Sequence, residues 1–173
     1  MTSHDSFQDP SAPRRWPIVA GITGGAGVST VLALLRLPTH CDAGVLVPDE
    51  PVDVLVTRST CAAVAAAIDA AAALSPAPVL VVVADRPGPV PRTVRQRIRM
   101  TEPHLPAVVS LDWIDPLRHH DEPLALLGHE VHETPSQERT KWARAALDAA
   151  QRIVDTLAIA LTAAPQPNQE VTP

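Results

Sequence analysis

The sequence predicts a single-domain α/β fold, a doubly wound and mainly parallel sheet with helices on both faces. Two observations lead there. Short runs that are apolar at nearly every position, such as Val79-Leu80-Val81-Val82-Val83, alternate with segments of helical composition. A strand with one wet face alternates apolar and polar residues, whereas a strand covered on both faces is apolar throughout. In addition, the first apolar run ends in Gly24-Gly25-Ala26-Gly27, and a helical segment follows at once. Strand, tight turn and helix in that order open a βαβ unit.

The elements follow in order. Trp16 to Ile22 reads as a buried strand, and Ser29 to Leu37 as a short helix stopped by Pro38. Gly44 to Val47 is a short strand candidate before Pro48, and Val52 to Thr57 is a near-continuous apolar strand. Only a few residues separate these two, whereas a parallel crossover takes about a dozen or more. Gly44 to Val47 is therefore an edge extension, a hairpin partner or no strand at all. Cys61 to Leu74 is a helix of strong formers, with Thr60 as its N-cap and Ser75-Pro76 as its stop. Pro78 to Ala84 holds the strongest strand signal. A loop with Pro87, Gly88, Pro89 and Pro91 leads to a helix over Arg92 to Glu102. Ala107 to Leu111 is the last strand, and Leu117 to Leu127 is irregular or weakly helical. Ser136 to Ala163 is a long closing helix with Ser136 as N-cap and Glu138 in its first turn. Trp142, Ala146, Ala149, Ile153, Leu157 and Leu161 fall near one face of it.

Composition narrows the class. A chain of 173 residues fits one domain with tails. The domain is expected over residues 16–164, between a Ser/Asp/Pro-rich flexible arm (residues 1–15) and a disordered polar tail (residues 165–173). With 46% hydrophobic residues a packed core is expected. With no Tyr, one Phe and three Trp, an aromatic platform for RNA or sugar is not expected. The net charge of -5 shows no overall attraction to nucleic acid, so such a contact would be local. Two cysteines make no disulfide framework, and Cys41 and Cys61 read as small buried hydrophobes in a reducing compartment. The polar start Met1-Thr2-Ser3-His4-Asp5 is not a signal peptide, and no apolar run is long enough for a membrane span. A cytoplasmic location is expected.

The glycine turn carries the functional reading. Its glycines let backbone N–H groups approach a phosphate, and the helix start behind it adds partial positive charge. Ser29 and Thr30 put hydroxyls where a metal or phosphate oxygen would sit, Ser29 being the metal candidate. Gly24-Gly25-Ala26-Gly27-Val28-Ser29-Thr30 resembles the deviant phosphate loop of the ParA/MinD-type ATPases, written K-G-G-x-G-K-[ST]. Thr23 takes the place of the family's signature lysine and Val28 that of the phosphate-loop lysine. The resemblance continues in Asp53-Val54-Leu55-Val56-Thr57-Arg58-Ser59-Thr60, a strand ending in a Thr/Ser-rich turn. It continues too in a strand ending at Asp85, the position that reads the base in that family. It also extends to short uncharacterised ATPase-like proteins of actinobacterial mobile elements.

The resemblance implies ATP or another nucleotide as ligand, with Mg2+, and a protein partner. With both lysines replaced it implies weak hydrolysis or none, and a regulatory or scaffolding role in plasmid or mobile-element maintenance, transfer or positioning. Arg58, Arg86 or Arg92 could supply a cation in space. Two alternatives stand beside it. One is a pseudo-ATPase that binds another protein and no nucleotide. The other is a dinucleotide enzyme with Asp49 as ribose acid, for which the strict G-x-G-x-x-G is lacking.

Three further clusters have both bland and functional readings. His119, His120, Asp121, Glu122, His129, Glu130, His132 and Glu133 match no standard zinc spacing and read as a solvated polar loop. Arg92, Arg95 and Arg99 share a helical face, with Arg97 beside them. They form either a solvated face or a grip on DNA, phosphate or an acidic partner. Trp113 follows a strand end, where it would stack on a base or partner or cap the core.

Overall fold

The computed structural model describes residues 15–163. The expected arm, apart from Arg15, and the expected tail lie outside the described residues, as does the Leu161 side chain. The strands are β1 (Val19–Gly21), β2 (Asp42–Val45), β3 (Val54–Arg58), β4 (Val79–Val83) and β5 (Val108–Leu111). All pair in parallel, in the order β2-β1-β3-β4-β5. The helices are α1 (Val28–Leu35), α2 (Cys61–Ala73), α3 (Arg92–Thr101), α4 (Asp115–Arg118), α5 (Pro123–Gly128) and α6 (Lys141–Ala163). The chain is a doubly wound α/β domain.

Alternate strand residues enter two separate cores, which is why these strands are apolar throughout. Val54, Val56, Val79, Val81, Val109 and Leu111 pack with α1, α5 and α6. Leu55, Leu80, Val82 and Val108 pack with α2 and α3. Both outer layers use small residues: Ala67 and Ala71 on α2, and Ala143, Ala146, Ala149 and Ala150 on α6 are buried. Of the expected α6 face, Trp142 is only half-buried and packs at the margin of the core.

Thr60 caps α2 as expected, its Oγ1 accepting from the Ala63 N–H at 3.2 Å. Thr60→Ala should cost about 1 kcal/mol and lower Tm by about 2–4 °C in a thermal melt. α1 begins one residue earlier than expected and ends at Leu35, where Arg36 (φ 53°) turns the chain before Pro38.

Other boundaries differ for physical reasons. The first strand is shorter than Trp16 to Ile22. Trp16 is 57% exposed and sits edge-on to His40, at 5.9 Å between ring centroids. Arg15, expected in the free arm, is fixed: its two terminal nitrogens donate to the Asp53 carboxylate, both at 2.7 Å. That hydrogen-bonded carboxylate raises the Arg15 pKa above its ordinary value. The closing helix does not start at Ser136. Glu138 and Arg139 N–H groups turn back to the Pro135 carbonyl, and α6 begins at Lys141. Thr140, not Ser136, offers the capping hydroxyl, to the Ala143 N–H at 3.3 Å. Leu117 to Leu127 is weakly helical, as expected, with an irregular turn over residues 119–122. It contributes to α4 and α5, and a π-helical turn follows at His129–Glu133.

The segment in doubt is a parallel edge strand. β2 spans Asp42–Val45, two residues earlier than expected, and pairs with β1 on the side away from β3. Residues 46–53 then return to β3 without a helix. A linker of eight residues suffices because it crosses only β1, which is three residues long. Leu46 and Val52 from this linker pack into the core under α2 and α3. β2 carries a bulge: three steps along it match two along β1, Gly44 has φ 72°, and the Asp42 carboxylate accepts the Gly44 N–H at 2.7 Å.

The two cysteines differ. Cys41 is buried, and burial pushes its thiol pKa up. Cys61, expected to be buried, is exposed at the start of α2, with Sγ 3.2 Å from Thr93 Oγ1. A thiol-reactive dye should therefore label Cys61 at least about 100-fold faster than Cys41, which needs local opening. Equal rates, read by mass spectrometry, would contradict this packing. No helix among the described residues is long and apolar enough to cross a membrane.

Candidate functional site

The strand order reverses at β1. α1 leaves it towards β2, whereas β3, β4 and β5 lie on its other side. The carboxyl ends of β1 and β3 flank the crevice where doubly wound sheets bind ligands. The glycine turn and Arg58 occupy those two ends.

Gly27 is the N-cap of α1, with φ 107° and no side-chain cap. That backbone conformation is nearly closed to other residues, and a Cβ there would stand 3.1 Å from Val83 Cγ2. Gly25 meets a different neighbour. Arg58 reaches across from β3, and its Nε–H donates to the Gly25 carbonyl at 2.7 Å. A Cβ on Gly25 would lie 2.6 Å from Arg58 Nη2, whereas one on Gly24 would meet nothing within 4 Å. Ala26 is buried, and its N–H donates to Thr23 at 3.2 Å, closing the turn. The amides of Gly24, Gly25, Gly27, Val28, Ser29 and Thr30 have no acceptor among the described residues. Ser29 is exposed and Thr30 half-buried in the first turn of α1. The candidate residues Gly24 to Thr30 are thus brought together, with six free N–H groups.

Beside the turn, the ends of β3 and β4 are tied. Thr57 and Ser59 are buried. The Ser59 hydroxyl donates to Asp85 Oδ1 at 2.5 Å and accepts the Asp85 N–H at 3.2 Å. The Ser59 N–H donates to the Val83 carbonyl at 2.9 Å. One oxygen of Asp85, the candidate base reader, is therefore engaged within the protein. Ser59→Ala would leave that carboxylate without its buried donor, and a loss of about 1–3 kcal/mol is expected in chemical denaturation.

A cavity of about 170 Å³ opens next to this crevice, from Thr30 and Leu34 on α1, past Val83 and Ala84, to Trp113 and Arg118. A second, of about 340 Å³, adjoins it between β5 and the start of α6, lined by Ser110, Asp112, Trp113, Lys141 and Trp142. Trp113 forms a wall of both. Its Nε1–H donates to Asp115 Oδ1 at 3.2 Å, and Arg118 lies 4.8 Å from the ring centroid, a cation–π contact.

The remaining candidates lie elsewhere. Asp49 stands exposed in the β2–β3 linker with φ 66°. Arg92, Arg95, Arg97 and Arg99 are exposed on α3 and form no ion pair among the described residues. Arg95 and Arg97 donate to the carbonyls of Val90 and Cys61, at 3.1 and 3.4 Å. The His/Glu-rich segment is part loop and part helix: residues 119–122 form an exposed turn, as expected, whereas His129–Glu133 form the π-helical turn. It makes local pairs, His129 with Glu133 at 3.0 Å and His119 with Asp115 at 3.9 Å. His132 donates from Nε2 to the Leu34 carbonyl at 2.8 Å, fastening the π-helical turn to α1. Neither this bond nor the Ser59–Asp85 pair has a local sequence signal, because the partners are 98 and 26 residues apart.

The turn offers donors of the kind a phosphate takes, six free N–H groups at and before a helix start. A magnesium ion does not fit. Such ions take oxygen ligands that include one or two carboxylates. Ser29 offers one hydroxyl, β3 beside the turn ends in Arg58 and not in an acid, Asp85 lies past the end of β4 with one oxygen taken by Ser59, and no group of three His, Cys, Asp or Glu among the described residues is placed to hold a metal. Compared with family models, curated proteins and solved structures, the chain finds no match.

Proposed function

We propose that this protein binds a nucleotide, with the phosphates on the glycine turn and the base towards the Trp113 cavity, and hydrolyses it weakly or not at all. The six unpaired amides of the turn at the sheet's switch point carry this reading. The cavity beside Thr30 supports it, since a ligand anchored by phosphate on the turn has apolar wall within reach. The role is regulatory or scaffolding, in the ParA/MinD-like manner that the turn resembles, in mobile-element or plasmid maintenance, transfer or positioning.

Weak turnover follows from charge. Phosphoryl transfer relies on positioning and on neutralising developing negative charge. Val28 contributes nothing to the second, and losing one such stabiliser costs about 10²–10³ in rate.

Calorimetry with ATP, ADP, GTP and inorganic tripolyphosphate tests this. Saturable heat with ATP and tripolyphosphate is expected, and none at millimolar ligand would overturn the reading. Trp113→Ala should weaken ATP about 10-fold and leave tripolyphosphate unchanged, since stacking on one aromatic is worth about 1–3 kcal/mol. A second reading, a protein-interaction module without nucleotide, draws on α3. That helix holds four arginines and no acid. It becomes the better reading if no phosphate compound binds.

A further inference from the structure

We infer that Arg58 supplies the charge of this site, so that the phosphate end of the ligand binds as the free anion, without a divalent cation. This rests on the phosphate reading of the glycine turn given above. Arg58 is the last residue of β3, across the crevice from the turn that closes β1. Its backbone is held on both sides: Thr57 and Ser59 are buried, and the Ser59 N–H is fixed to the Val83 carbonyl at 2.9 Å. The side chain is exposed, and its Nε–H bond to the Gly25 carbonyl brings the guanidinium beside the turn.

Nε is thereby used, but the two terminal amino groups are not. Neither makes a hydrogen bond or ion pair among the described residues, although Nη2 would stand 2.6 Å from a Gly25 Cβ. A fork of two NH2 groups beside a row of free amides matches a tetrahedral oxyanion, which accepts paired N–H bonds from guanidinium. An arginine already bonded to the turn also loses less freedom on binding than a lysine that must be drawn in.

The carboxylates argue the same way. A magnesium ion neutralises phosphate where protein acids hold it, and here the strand beside the turn ends in Arg58 and not in an acid, while Asp85, past the end of β4, has one oxygen taken by Ser59. The cation that lysines would bring at positions 23 and 28 comes instead from position 58, a change that a linear motif does not reveal. The ligand class is a polyphosphate or phosphomonoester end free of metal.

Titration of tripolyphosphate and ATP, each in EDTA and in excess magnesium, tests this on the full chain. Wild type should bind both in EDTA, and magnesium should weaken binding by withdrawing the free anion. Arg58→Gln should lose about 10- to 100-fold in EDTA, and Arg58→Lys should recover part of that loss by restoring charge without the fork. Matching thermal melts would show that the variants fold. Binding that requires magnesium, or equal affinity in Arg58→Gln, would overturn the inference and leave the nucleotide reading standing. No binding of either compound in either condition would overturn both.

Discussion

A Gly25→Asp chain should lose tripolyphosphate and ATP binding by at least about 100-fold, because like charges brought together at a contact cost several kcal/mol. Two effects act together. The new carboxylate stands at the mouth of the turn, where phosphate oxygens would approach. Its Cβ would also enter the space of Arg58 Nη2, 2.6 Å away, so the arginine must leave its bond to the Gly25 carbonyl. The displaced guanidinium then pairs with the introduced carboxylate and is withdrawn from the ligand. Folding should survive, since the position is exposed and aspartate tolerates its φ of 70° better than most residues. Gly24→Ala is the control. Its Cβ meets nothing within 4 Å, so affinity should stay within about 2-fold of wild type. Calorimetry on both variants decides the matter. If Gly25→Asp binds like wild type, phosphate is held elsewhere.

Leu80→Ala should destabilise the fold by about 2–5 kcal/mol. Leu80 is fully buried in β4, the strand between β3 and β5, and packs in the core under α2 and α3. Its neighbours are fixed by parallel pairing with Leu55 and Val108, so the vacated volume cannot close easily. Against a usual total of about 5–15 kcal/mol this removes a large share of stability. Tm should fall by roughly 5–15 °C, read by circular dichroism. A shift under about 2 °C would mean that this core is loosely packed.

Much of the fold was legible in the sequence because both faces of the sheet are covered. Val54-Leu55-Val56 and Val79-Leu80-Val81-Val82 declare themselves as strands without any partner being known. β2 was harder, since all four of its residues are exposed and its pattern carries no burial signal. The start of α6 is ambiguous in the sequence, because Ser136 and Thr140 are both caps by type. The choice fell to the turn that Glu138 and Arg139 make onto Pro135. At the site, the turn residues were legible from glycine spacing alone. The contact of Arg58 with the turn was not, since its bond spans 33 residues and only tertiary structure brings it there. Among three arginines that could supply a cation, the sequence offered no way to choose.

The bulge in β2 bears on how copies of this protein could meet. A sheet propagates into a fibre only if both outer strands accept a neighbour. Here one of them is blunted by Gly44 and by the Asp42 carboxylate sitting on its amide. Strand-by-strand growth is left to the β5 side, where Arg152 already takes the Val108 carbonyl at 3.1 Å. Two copies meeting there about a two-fold axis would consume both available edges, so such growth ends at a pair and does not run on.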